Sequence, residues 1–266
     1  MKLSLSEEQT MIQDMACKFA ETVLEPAATA LDRGDDKPAE RALFLHNLKQ
    51  LAELGFMGLN VKSEYGGSDA GVVAFSLAIT EVARVCASTA VTMSVTNMVG
   101  EVIQAIASEE QKQRYLPKLC SGDYAAGGFC LSEAGVGSDP AGMKTSAVLE
   151  NDEWVLNGTK MWISSAEYAG IFVICAVTDP MAAKGKGISC FLVEAGTPGL
   201  IIGKAEEKMG QHGSATNTVI FDDCRIPKPA FMGGLNEGFR IALSELSGGR
   251  NGIGSLALGI VQSSMD

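Results

Sequence analysis

Apolar residues at the start of the chain recur at helical intervals. Ser6 and Gln9 form a capping-box pattern, and Met11, Met15, Phe19 and Val23 then share one face, predicting a helix that stops before Pro26. Past a polar break at Asp32–Lys37, Pro38 suits a first helical position, and the stripe Phe44, Leu48, Leu51 ends at Gly55, a candidate C′ glycine. Tyr65-Gly66-Gly67 marks a loop. Val72, Phe75, Ile79 and Val82 predict another helix, and a further one covers Ser94 to Ile106. Ser108 and Gln111 repeat the capping box and open a short helix that should end before Pro117.

Near Ala125 the pattern changes: glycines appear, and the apolar runs become short and β-branched. Ala147–Leu149 and Trp154–Leu156 flank Asn151-Asp152, and Asn157-Gly158 is the strongest local hairpin signal. Ile171–Val177, Ile188–Val193 and Val219–Phe221 complete a set of strands. From Asn236 the helical period returns, with Phe239, Ala242, Leu243 and Leu246, and it is still running at Met265, which reads as a truncated polypeptide. The expected fold class is therefore α+β and multi-domain. Residues 1–124 form an all-helical domain, 125–230 an antiparallel β domain, and 231–266 the first helix of an incomplete C-terminal helical domain.

Composition narrows the function classes. The chain has 266 residues, and its net charge of −11 opposes binding to nucleic acid or to anionic lipid. The longest uncharged stretch, Val85 to Gly100, is interrupted by Ser, Thr and Asn, so no membrane span is expected. The N-terminus shows no basic lead and no apolar run of a secretory signal, and the seven cysteines include no CxxC pair. A reducing, cytoplasmic location is the expectation. His46 and His212 are far apart and neither has a partner at ligand spacing, so no metal site is expected. GxSxG and GxxxxGK[ST] are absent, and Gly135-Val136-Gly137 lacks the third glycine of a dinucleotide fingerprint, since Pro140 stands there.

Two blocks remain. Phe129-Cys130-Leu131-Ser132-Glu133-Ala134-Gly135-Val136-Gly137-Ser138-Asp139-Pro140 leaves a strand and enters a glycine turn, offering the hydroxyls of Ser132 and Ser138 to an anion or a ring edge. A glycine-rich loop ending a strand is the plainer account of the same residues. Lys160-Met161-Trp162-Ile163-Ser164-Ser165 carries one of two tryptophans, able to stack on a flat ring, with Ser164 able to hydrogen-bond its edge; a half-buried strand tryptophan is the competing account.

These blocks resemble the acyl-CoA dehydrogenases, flavoenzymes built as helical domain, β domain, helical domain. The likeness also takes in Glu64-Tyr65-Gly66-Gly67, Gln111–Pro117, Asn157-Gly158-Thr159, Lys208-Met209-Gly210, Asn236-Glu237-Gly238-Phe239 and Gly248-Gly249-Arg250. The stretch from Gly187 to Pro227 is most similar to the short-chain, butyryl-CoA branch. The resemblance implies FAD, with Phe129, Leu131 and Ser132 along the isoalloxazine ring, Trp162, Ile163 and Ser164 on its other flank, and Ser138 among the contacts. It implies that Ser138 also meets the pantetheine-phosphate arm of the thioester, and that Ser247, Gly248, Gly249 and Arg250 line the substrate side. A helix-surface ion pair is the plainer role for Arg250.

The implied reaction is α,β-dehydrogenation of an acyl-CoA to the trans-2-enoyl-CoA, with electrons passed to an electron-transfer flavoprotein and a homotetrameric assembly when the polypeptide is complete. The alternatives are a non-catalytic flavin or acyl-CoA binding module, and an oxidase or monooxygenase on the same fold. Family members carry a catalytic glutamate beyond the last residue of this chain, or in a minority immediately before the equivalent of Arg250, where this chain has Gly249; no base is assigned. Glu245, one helical turn before Gly249, is the first residue to test, although an exposed helix glutamate is its ordinary reading. Ala134 replaces a usual proline, and His212 stands where an arginine is common.

Overall fold

The computed structural model describes residues 4–33 and 37–265. Both capping boxes form: Ser6 opens α1 (Glu7–Phe19) and Ser108 opens α6 (Glu109–Cys120), each serine accepting from the N3 backbone while the N3 glutamine side chain accepts from the cap. The buried stripe of α1 is Ile12, Ala16 and Phe19; of the expected series, Phe19 is buried, Met15 and Val23 pack partly buried against the same core, and Met11 is exposed.

Neither proline ends its helix. Before Pro26 the chain makes a π-type turn over Ala20–Leu24, in which the Glu25 N–H donates to the Ala20 carbonyl five residues back, and α2 (Glu25–Arg33) follows directly. The extra residue lets the helix pass a side chain that lacks an N–H and would otherwise press on the preceding turn. Pro117 sits in the last turns of α6, where one missing bond is outweighed by burial of Tyr115, Leu116 and Leu119. The break expected at Asp32–Lys37 falls partly on residues 34–36, outside the described residues.

Helix α3 (Lys37–Glu53) buries Phe44, Leu48 and Leu51 and ends before Gly55, whose φ is +80°. Helix α4 (Gly71–Val85) buries Phe75, Ile79 and Val82, but Val72 faces outward. Helix α5 runs Ala87–Ile106, beginning seven residues before its expected start. Its first turns bury Ser88, Thr89, Thr92 and Ser94, a polar face without visible hydrophobic period. Two of them find partners in the folded chain: the Thr89 hydroxyl donates to Cys86 Sγ, and the Thr92 hydroxyl lies 3.1 Å from Ser214 and accepts from Ser165. Asn97 donates to the Phe56 carbonyl and accepts from the Leu59 N–H.

The β region comprises β1 (Ala126–Cys130), β2 (Ser146–Glu150), β3 (Glu153–Ser164), β4 (Ala169–Val177), β5 (Ile188–Glu194), β6 (Leu200–Ala205), β7 (Thr216–Pro227) and β8 (Phe231–Met232). Their order is β6-β7-β3-β2-β4-β5-β8, with β1 beside β4. Most pairings are antiparallel, but β1 runs parallel to β4, and β2 touches β4 through one parallel bridge, Ser146↔Val177. The hairpin turn is Asn151-Asp152, both left-handed at φ 49° and 64°, as a type I′ turn requires. Asn157-Gly158, the stronger sequence signal, instead forms a bulge inside β3. Gly158 is needed there because a Cβ would lie 2.6 Å from the Thr145 backbone, and its φ is +147°.

Strand β4 alternates between two cores. Ile171, Val173 and Cys175 face the helices with Leu131, Val99 and Ile241, while Phe172, Ile174 and Ala176 join Trp154, Phe191 and Phe221 on the other side. Helix α7 (Gly238–Met265) crosses α5 and α4 through small residues: a Cβ on Gly252 would sit 2.1 Å from the Ser94 Oγ, so close approach depends on glycine.

Candidate functional site

The two sequence blocks meet in space. Beyond β1 the chain passes Leu131, Ser132 and Glu133 alongside the second half of β3, and the Met161 N–H donates to the Ser132 carbonyl at 2.9 Å. On that stretch of β3 the pairing with β7 slips between Lys160 and Ile163, and within the slip Trp162 adopts φ +58°. A left-handed tryptophan is uncommon and costs backbone strain, which the surrounding structure must impose. The result is an indole 51% exposed instead of folded into the sheet.

Next to this stretch lies an ion pair with almost no access to water. The Lys160 ammonium donates to the Leu131 carbonyl at 3.0 Å and to Glu133 Oε1 at 2.9 Å, with Met143 Sδ at 3.7 Å. Glu133 also accepts from the N–H groups of Lys144 at 2.7 Å and Thr145 at 3.0 Å, just before β2. Burial acts to raise the Glu133 carboxyl, but the Lys160 charge and the hydrogen bonds from Lys160 and Thr145 outweigh it, leaving the carboxyl below its ordinary range.

Around this clamp the expected residues divide into three kinds. Leu131 and Ile163 have buried side chains, in the helix-facing and sheet-facing cores respectively, so they offer backbone to a ligand. Phe129, Ser132 and Ser164 are half-buried, and Trp162 and Ser138 are exposed. Among the described residues no protein group hydrogen-bonds the hydroxyls of Ser132, Ser138 or Ser164. An exposed indole beside unengaged hydroxyls fits an aromatic ring with a polar edge. These residues therefore fit a flavin in the chemistry of their donor set. Asp139, next to Ser138, pairs with Lys184 from the turn before β5.

The segment Ser247–Arg250 lies on α7, opposite α5. Ser247, Gly248 and Arg250 are exposed and Gly249 is half-buried; a Cβ on Gly249 would meet Met98 Sδ at 2.8 Å. Arg250 has no ion pair among the described residues, so the plainer role expected for it is not seen. Leu246 joins the same apolar cluster as Phe129 and Leu131, which brings this helix and the first block to one side of the sheet.

Glu245 is not an ordinary exposed glutamate. It is half-buried, and burial followed by the negative charge of Glu101 pushes its carboxyl up to about 7. Burial raises Glu101 as well, against the opposing hydrogen bond from Asn60 at 2.7 Å. The polar partners missed at the sequence level are thus Glu133, Lys160 and Glu101. A lysine inside an apolar strand, with an oppositely charged residue in the other block, was the available signal for the first two.

His212 contacts Asp32 at 3.0 Å and also reaches the Lys208 carbonyl, so a pairing survives where an arginine was expected. No cluster of metal-ligating side chains occurs among the described residues, and no helix there is long and apolar enough to cross a membrane.

Comparison with known proteins assigns the lineage of this arrangement. Residues 6–123 match the family model for the acyl-CoA dehydrogenase N-terminal domain, and residues 128–224 that for the middle domain. Butyryl-CoA dehydrogenase from Megasphaera elsdenii superposes with a TM-score of 0.91 at 34% identity, over 99% of this chain and 68% of that one. The chain belongs to the acyl-CoA dehydrogenase family. This acyl-CoA dehydrogenase chain is also 43% identical to the human mitochondrial short-chain specific acyl-CoA dehydrogenase, over 99% of its own length and 62% of the relative's. It is 42% identical to an acryloyl-CoA reductase (NADH) from Anaerotignum propionicum, over 100% of its own length and 66% of that protein's. The chain thus spans roughly two thirds of the relatives it matches. An acyl-CoA dehydrogenase from Bacillus anthracis, solved in complex with FAD, shares 32% identity at a TM-score of 0.87, over 96% of this chain and 42% of that one.

Proposed function

We propose that this chain holds FAD and takes part in the α,β-dehydrogenation of a short-chain acyl-CoA thioester to the trans-2-enoyl-CoA, with an electron-transfer flavoprotein as acceptor. The observation that carries the reading is the exposed, left-handed Trp162 next to the Met161–Ser132 backbone bond and a buried ion pair, with the hydroxyls of Ser132, Ser138 and Ser164 unengaged among the described residues. FAD, when bound, supplies the hydride acceptor. Trp162 would cover a ring face, Ser132 and Ser164 would hydrogen-bond its edge, and Phe129 with the backbone of Leu131 and Ile163 would line its flanks. Ser138 would meet both cofactor and pantetheine-phosphate, and Ser247, Gly248, Gly249 and Arg250 would line the thioester, with Arg250 supplying local positive charge in an acidic protein.

A carboxyl poised near neutrality is what removal of an α-proton requires. Glu245 has that affinity, pushed up to about 7, and is the first residue to test as the base of this chain. A second reading, a flavin and acyl-CoA binding unit without its own base, is favoured by Gly249, since no carboxyl stands immediately before Arg250. The proposal includes a homotetramer for the whole polypeptide and a cytoplasmic location, to be checked by sedimentation and by cell fractionation.

The deciding experiment is an anaerobic absorption spectrum of the FAD-reconstituted chain before and after butyryl-CoA. Bleaching that is lost in Glu245→Gln supports the dehydrogenase reading with Glu245 as base. A bound flavin that does not bleach supports the binding unit, and failure to bind FAD overturns both. Reoxidation by oxygen faster than by the flavoprotein acceptor would identify an oxidase.

A further inference from the structure

We propose that Glu133 and Lys160 act as a pair of positioning residues that set the spacing and facing of the two flanks of the flavin cradle. The inference rests on the flavin reading above. Three segments distant in sequence converge on the pair: the loop Leu131–Glu133, the entry to β2 at Lys144 and Thr145, and the slipped stretch of β3 at Lys160–Ile163. Consecutive β3 residues bind consecutive loop carbonyls, Lys160 through its ammonium to Leu131 and Met161 through its N–H to Ser132. Sliding β3 along the loop would break both bonds.

The pair is also closed to substitution by solvent. Lys160 is fully buried and Glu133 nearly so, so water cannot replace a lost partner without opening the fold. Its two carboxylate oxygens take three donors, and the ammonium faces a carbonyl, a carboxylate and a thioether. Such a saturated cluster admits few geometries. The consequence reaches the surface two residues on, where Trp162 keeps an otherwise unfavourable φ of +58° with its indole outward. The apolar core on either side would hold the sheet together without the pair. What it specifies is where Ser132 and Trp162 stand relative to each other.

The test compares Lys160→Met, Glu133→Gln and the double variant in the 266-residue chain. Three quantities are read: FAD affinity at 10 °C, thermal midpoint by circular dichroism, and acrylamide quenching of Trp162 in a Trp154→Phe background that leaves it the sole tryptophan. Each single variant should weaken FAD binding at least tenfold and alter Trp162 quenching. The double variant, which leaves neither charge unpaired, should regain much of the thermal midpoint while FAD affinity and Trp162 quenching stay altered. If a single variant does not fold, the double variant alone decides. FAD affinity that returns with the midpoint, or Trp162 quenching like that of the parent, would overturn the proposal and leave the pair a purely structural contact. If the parent itself binds no FAD, the flavin reading fails, and Trp162 quenching in the FAD-free chain still judges the pair.

Discussion

The two sides of the candidate site are built on opposite electrostatic plans. Between β1 and β3, Lys160 and Glu133 are of opposite charge, buried and fully partnered. Between α5 and α7, Glu101 and Glu245 are of like charge and half-buried, with Asn60 donating to Glu101. The first arrangement fixes geometry, with the Glu133 carboxyl held below its ordinary range. The second stores proton affinity and titrates near neutral pH. A flavin flank needs the former, because stacking and edge hydrogen bonds depend on placement. A thioester flank has use for the latter, because proton removal depends on a carboxyl that is neither always charged nor always neutral.

The comparison can be broken most forcefully at the clamp. Lys160→Met leaves the Glu133 carboxylate buried without its cation and should cost roughly 3–5 kcal/mol in urea denaturation at pH 7; a loss below about 1 kcal/mol would mean the pair is not buried in solution. Its acid response has a definite direction. Because the Glu133 carboxyl is held below its ordinary value of 4.5, its stabilisation is full above that pH and is lost as pH falls further. The deficit of Glu133→Gln should therefore shrink on acidification.

Next in size is the contact that brings α7 onto α5. Gly252→Ala places a methyl against Ser94 and should cost about 1–3 kcal/mol, partly recovered when Ser94→Ala is added. Full tolerance of the methyl, seen as an unchanged urea midpoint, would show that the helices are not so closely packed.

The carboxyl pair should respond to pH in the opposite direction from the clamp. With its folded value at about 7 against an ordinary 4.5, Glu245 is accommodated best while protonated, so stability is full below pH 4.5 and declines as pH rises through 7. Glu245→Gln should then stabilise the chain by on the order of 1–2 kcal/mol at pH 8, after allowance for solvent screening, and by nothing measurable at pH 4. A variant whose advantage does not grow with pH would contradict the shared burial of Glu101 and Glu245.

The smallest expected stability effect belongs to Trp162. Because the indole is exposed and its backbone left-handed, Trp162→Gly exchanges lost contacts for relief of strain, and the unfolding midpoint should move by no more than about 1 kcal/mol equivalent. FAD retention should nevertheless fall. Equal retention would remove Trp162 from the cradle and weaken the contrast between the two flanks.

Much of this molecule could be read along the chain wherever a local rule was sufficient. Ser6 and Ser108 open helices because a hydroxyl three residues before a glutamine satisfies free N–H groups whatever lies further away. Gly55 ends α3 because its left-handed φ disfavours other residues. The change from period 3.6 to short β-branched runs marks where helices give way to strands. The blocks around Ser132 and Trp162 were visible by composition, one offering a glycine turn with hydroxyls and the other an indole with hydroxyls.

Tertiary structure decided what depends on a distant partner. Pro26 and Pro117 were expected to stop helices, but a π-type turn and a buried face carry the chain past them. Asn157-Gly158 had the stronger hairpin signature, yet Asn151-Asp152 turns, because β7 pairs along β3 on both sides of Gly158 and makes it a bulge. The first half of α5 looked too polar to be core until Thr92 met Ser165 and Ser214, and Asn97 met the backbone of Phe56 and Leu59. Lys160 inside an apolar strand hints at a partner without fixing its place, and Glu245 on a helix carries no mark of burial in sequence. Their surroundings are set by groups that are neighbours only in the fold, Glu133 twenty-seven residues from Lys160 and Glu101 on another helix, because electrostatic energy depends on separation in space and on exclusion of water.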